Sequence, residues 1–162
     1  MWRKSWMLLT AVALAAFVAG LAVARTQQLN RQTMENLHTA MKGEAFAYAS
    51  YMLYAEQARK TGQPEIAALF ENAAKTERFE HFAEEAELAG LAGTNEDNLR
   101  TAIKGETYES TTMYKEFAEQ ATSVEDHAAA QRFEEIRKDE MKHRAMFEAA
   151  LQKLEHASQG QK

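Results

Sequence analysis

The chain has 162 residues, 46% of them hydrophobic and 27% charged, with a formal net charge of −5, one proline and no cysteine. An acidic balance without a Lys/Arg cluster argues against nucleic acid as a partner. The lack of cysteine excludes disulfides, thiol catalysis and cysteine-ligated zinc or iron–sulfur sites within these residues.

The first 24 residues read as a targeting element. Arg3 and Lys4 precede a run without charge from Met7 to Ala24, which ends Ala22-Val23-Ala24. This pattern matches a bacterial secretory signal with an A-x-A cleavage site. The alternative is an uncleaved anchor, since 18 residues span roughly 27 Å as a helix. Both readings place the remainder outside the cytoplasm, in the periplasm, with the membrane contacted only through an uncleaved N-terminal helix. Residues 25–32 form a polar linker, 33–156 a single helical domain, and 157–162 a flexible tail.

Within that domain Ala, Glu, Lys, Leu and Met dominate and nothing alternates with period two for long, so the fold class is all-α. The first helix is expected from about Met34 to Lys60. Thr61-Gly62-Gln63-Pro64 ends it and starts the second, which runs to about Ala89. Thr94 with Asp97 offers a capping box for a third helix ending near Ala121. Thr122 or Ser123 caps a fourth, which continues to about Glu155.

An internal repeat organises these four helices as two αα-hairpins. LHTAMKGEAFAY (37–48) aligns with LRTAIKGETYES (99–110) at an offset of 62, and AEQA (55–58) with AEQA (118–121) at 63. The extra residue predicts a π-bulge in the third helix between Met113 and Ala118.

Each helix carries a 4-3-4-3 seam of the kind that faces a bundle core, and each seam holds a glutamate at its middle: Glu44, Glu77, Glu106 and Glu140. Ligand-type residues follow three positions on, as Glu77/Glu80, Glu106/Glu109 and Glu140/His143. A single such glutamate would be read as a solvated surface charge. Four at one level of the bundle, with no seam Lys or Arg to neutralise them, need another source of positive charge. Bound metal supplies it, and a carboxylate-plus-imidazole set suits iron or manganese. Tyr51 and Tyr114 lie two turns beyond Glu44 and Glu106, where their hydroxyls would hydrogen-bond ligand carboxylates or pack in the core. His81 is a weaker candidate ligand, pointing roughly 100° from Glu80. His38, His127 and His156 have no partners and read as surface residues.

These motifs together resemble the rubrerythrin branch of the ferritin-like diiron proteins over about residues 33–155. The resemblance implies a ferritin-like four-helix bundle holding two irons (manganese being the other candidate). It implies as ligands Glu44, Glu77, Glu106, Glu109, Glu140 and His143, with Glu77 and Glu140 bridging. The implied chemistry is two-electron reduction of hydrogen peroxide to water.

Two departures stand out. Glu80 occupies the position expected to be histidine, with His81 one step late, so Glu80 is taken as a seventh ligand. This glutamate-rich arrangement is similar to symerythrin-like proteins. No four-cysteine rubredoxin domain is present, so a separate electron-donor protein is expected. Alternatives are an iron-oxidising, iron-handling protein that uses O₂, or a non-catalytic bundle stabilised by metal.

A twofold between hairpins with opposed loops requires the connection after Ala89 to cross about 28–35 Å. Roughly nine extended residues barely cover it. A homodimer is expected, and domain swapping would relieve the strain.

Overall fold

The computed structural model describes residues 29–159, and the expected signal or anchor over residues 1–24 lies outside them. The described chain is helical, without a strand: α1 (Arg31–Lys60), α2 (Pro64–Thr76), a π-turn (Glu77–His81), α3 (Phe82–Ala89), α4 (Asn95–Tyr108), a second π-turn (Glu109–Met113), α5 (Tyr114–Ser123) and α6 (His127–Gln159). The segments α2–π–α3 and α4–π–α5 each run on as one rod, giving four rods in all. No described helix is long and apolar enough to cross a membrane.

Capping chemistry sets the boundaries. The Asn30 side chain accepts from the Gln32 N–H at 2.8 Å, satisfying one of the free donors at the start of α1. At its end Gly62 takes φ +72°, its N–H donates to Arg59 O, and the Gln63 N–H donates to Ala58 O. Those two bonds are a Schellman closure, for which glycine has no Cβ penalty. Gly90 closes α3 in the same way. Thr94 accepts from the Asp97 N–H at 3.1 Å and opens α4, as the capping box predicts. The turn before α6 repeats the Schellman pattern with Glu125 at φ +64° in place of glycine.

The rods pair as two antiparallel hairpins. In the first, α1 packs on α2 and α3; in the second, α4 and α5 pack on α6. Ala55, Ala58 and Ala67 form a buried cluster under Phe70, so the helices approach closely through small residues. The repeat persists in three dimensions. Tyr51, Tyr54 and Phe70 pack ring to ring in one hairpin, and Tyr114, Phe117 and Phe133 do so in the other. Arg59–Glu71 and Arg100–Glu155 ion pairs tie the two sides of each hairpin together.

The hairpins do not close on each other. Among the described residues, no helix of the first comes within 8 Å, Cα to Cα, of a helix of the second. The four expected helices and their pairing are all present, and they are consistent with a ferritin-like bundle. A bundle closed within one chain is not what this structure holds.

Candidate metal centre

The two π-turns decide which side chains meet. A π-turn bonds residue i to i+5, and here the Phe82 N–H donates to Glu77 O and the Tyr114 N–H to Glu109 O. Each π-turn therefore opens on a candidate ligand. The second lies just ahead of the 113–118 interval expected from the repeat, because the extra residue is absorbed where the chain passes Glu109. The first was not expected. It advances each residue by less than the α-helical 100°, so four steps carry His81 back to the side that three α steps reach. His81 thereby stands over Glu77 as His143 stands over Glu140.

The resulting geometry is duplicated. His81 Nδ1 lies 2.8 Å from Glu77 Oε2 and 3.9 Å from Glu44 Oε2. His143 Nδ1 lies 2.8 Å from Glu140 Oε2 and 3.8 Å from Glu106 Oε2. Within each trio the candidate ligand atoms lie within 4.8 Å of one another. The glutamates are mostly shielded, while each histidine keeps about half its side chain exposed.

Glu44, Glu77, Glu106, Glu140 and His143 thus occupy two clusters, as their seam positions predict. Glu80 does not join: its side chain is exposed, and His81 takes the place assigned to it. Glu109 is half-buried outside the trio, yet close enough for its charge to act on Glu106 and Tyr114. Tyr51 and Tyr114 are half-buried within the aromatic trios, and no hydrogen bond links either hydroxyl to a described carboxylate. Glu85 is an acidic residue the seam pattern overlooks. One of its oxygens is buried without a hydrogen-bond partner, and its charge acts on Glu44. The signal for it is spacing: it lies eight residues past Glu77, and the π-turn rotates it back to the seam.

Electrostatics point to missing positive charge. A hydrogen bond with Glu77 holds the Glu44 carboxyl above its ordinary range, with burial and the Glu77 charge adding to it. Burial comes first for Glu106, followed by its hydrogen bond to Glu140. Carboxylates this close oppose one another's ionisation, and a bound cation would relieve that opposition. The Glu77 hydrogen bond raises His81. Burial, then Glu109 and Glu140, raise the Tyr114 phenol. Glu106 Oε2 is buried with no hydrogen-bond partner among the described residues. A desolvated carboxylate oxygen left in that state fits a metal ligand.

Fold and site together define a helical protein with two carboxylate–histidine groups that could hold metal. The Rubrerythrin family model matches residues 35–151. A rubrerythrin from Porphyromonas gingivalis is 34% identical over 139 residues, covering 78% of this chain and 70% of the relative. Nigerythrin from Nitratidesulfovibrio vulgaris is 30% identical, covering 76% and 67%. Symerythrin from Cyanophora paradoxa is 33% identical, covering 64% and 73%. The chain belongs to the rubrerythrin family. Membership implies a diiron centre and oxidoreductase chemistry, and the donor set described above fits that group.

Proposed function

We propose that this protein is an exported diiron peroxide reductase that draws electrons from a separate carrier. The single observation that carries the reading is the duplicated Glu–Glu–His cluster, which brings carboxylates together with no Lys or Arg paired to them among the described residues. Glu44, Glu77 and His81 would hold the metal from one hairpin, and Glu106, Glu140 and His143 from the other, with Glu109 beside them. Two ferrous ions held there supply the two electrons that, with two protons, convert hydrogen peroxide to two waters. The mutual repulsion of Glu44 with Glu77, and of Glu106 with Glu140, would be relieved by the cations they hold. Tyr114 keeps its phenolic proton at Oη, because burial and nearby carboxylates oppose its loss. Its Oη–H would be the donor in a hydrogen bond to a ligand carboxylate.

The 162 residues contain no cysteine, so a rubredoxin-type electron inlet lies outside them. Arg3 and Lys4 ahead of the uncharged run support export. The test of the activity is stopped-flow absorbance of the full chain, loaded anaerobically with Fe(II), mixed with one equivalent of H₂O₂ or with O₂. Faster oxidation by peroxide supports the proposal. Faster oxidation by O₂, with iron retained beyond two per centre, replaces it with iron oxidation and storage.

A further inference from the structure

On the reading of the two Glu–Glu–His clusters as metal sites, we propose that Glu85 is a further metal-holding carboxylate of the first hairpin. It brings that hairpin to three carboxylates and one imidazole, a set that the second hairpin builds from other positions.

The repeat shows where the two copies differ. Glu109 stands three residues past Glu106, and its charge acts on that ligand. The equivalent position three past Glu44 is Ala47, which has no ligand atom to offer. On the facing helices the difference is reversed. Phe147 lies four residues past His143 and lines an apolar groove, whereas Glu85 lies four residues past His81. The first hairpin thus lacks a carboxylate on α1 and gains one on α3. Glu85 acts on Glu44 as Glu109 acts on Glu106. With Glu85 and Glu109 beside the four glutamates of the clusters, the formal negative charge equals the positive charge of two ferric ions.

Helix geometry aims Glu85 at its cluster. It lies about one α-helical turn beyond His81, on the side of α3 that the π-turn brings round to α1. A Cα–Cβ bond in a helix tilts toward that helix's N-terminus. Glu85 therefore leans back over the turn that carries His81, while Glu44 leans toward Met41. Because α1 and α3 are antiparallel, these two directions converge.

At that place the carboxylate is left unsatisfied. Glu85 Oε2 is buried with no hydrogen-bond partner among the described residues, and the imidazole one turn back pairs with Glu77 instead. A desolvated carboxylate oxygen without a donor opposes folding, and the phenylalanine of the second hairpin fills the equivalent position without that cost. A cation held beside Glu44 supplies the missing partner, and carboxylate oxygen is a ligand that iron and manganese accept.

The test is anaerobic Fe(II) titration of the full chain and three variants, with circular dichroism to confirm folding. Glu85→Gln keeps the shape and removes the charge; Glu85→Phe copies the residue at 147 and guards against a misfolded glutamine variant. Each should bind Fe(II) at least about tenfold more weakly than wild type. Glu84→Gln, which removes charge from the exposed neighbour, should bind as wild type does. The metal-free Tm should hold or rise in both Glu85 variants, since a buried unpaired charge is removed. Co(II) in place of Fe(II) reports on the ligands themselves: its visible ligand-field bands should change in Glu85→Gln and not in Glu84→Gln.

Wild-type Fe(II) affinity in both Glu85 variants overturns the inference. So does weaker binding with unchanged Co(II) bands, which would make Glu85 a remote charge, and so does a lower metal-free Tm in both, which would make it structural. A wild-type chain that binds neither ion defeats the reading of the clusters as metal sites, and the inference with it, before any variant is compared.

Discussion

Between Glu77 and His81 the helix widens by one residue, and that local change decides which side chain reaches the cluster. Read with α-helical angles, the sequence places Glu80 beside Glu77 and turns His81 away; with the π-turn, His81 moves in and Glu80 faces solvent. His81→Ala should therefore weaken iron binding by at least about 10–100-fold, while Glu80→Ala leaves it unchanged, as read by anaerobic Fe(II) titration. The five seam residues that the structure gathers into the clusters, Glu44, Glu77, Glu106, Glu140 and His143, lie where a plain seam applies. The repeat did hold a trace of the sixth, because His81 and His143 are 62 apart whereas Glu77 and Glu140 are 63 apart.

Proton linkage at these residues has a definite sign. Glu44 and Glu106 are raised, so the metal-free folded state holds protons that the unfolded chain gives up, and stability falls as pH climbs through their raised range. His81 is raised by Glu77, so its contribution is full below its ordinary value and is lost as pH rises through the folded one. Metal replaces those protons and gains from higher pH. Thermal melts from pH 5 to 8 should show a falling Tm with chelator, and a growing Tm gain from added Fe(II).

At the scale of elements, boundaries were legible because caps are local chemistry. Gly62, Gly90 and Thr94 act at the positions their residue types suggest. The turn before α6 is the exception: Glu125 occupies the left-handed conformation that Gly62 adopts in the equivalent turn. Glu125→Gly should stabilise the protein by about 1 kcal/mol in urea denaturation, since a side chain is strained at that φ. The π-turns were half legible. A length difference between repeats reveals the second, which lies between α4 and α5. The first leaves almost no length signature, because the two copies fall back into register only at His81.

At the scale of the whole molecule, periodicity identifies the seams and says nothing about which chain fills them. The same pattern of Leu, Phe and Glu serves a closed monomer or an exchanged dimer. Among the described residues the connector Gly90–Thr94 joins two hairpins that do not pack on each other.

The central claim is that the seam glutamates are metal ligands, and metal stoichiometry tests it most directly. The full chain, freed of metal and titrated anaerobically with Fe(II), should bind two irons per chain, and E106Q/E140Q should abolish that binding. Absence of stoichiometric iron, together with a rise in stability when Glu106 and Glu140 are replaced by leucine, would contradict the account and mark these carboxylates as structural charges.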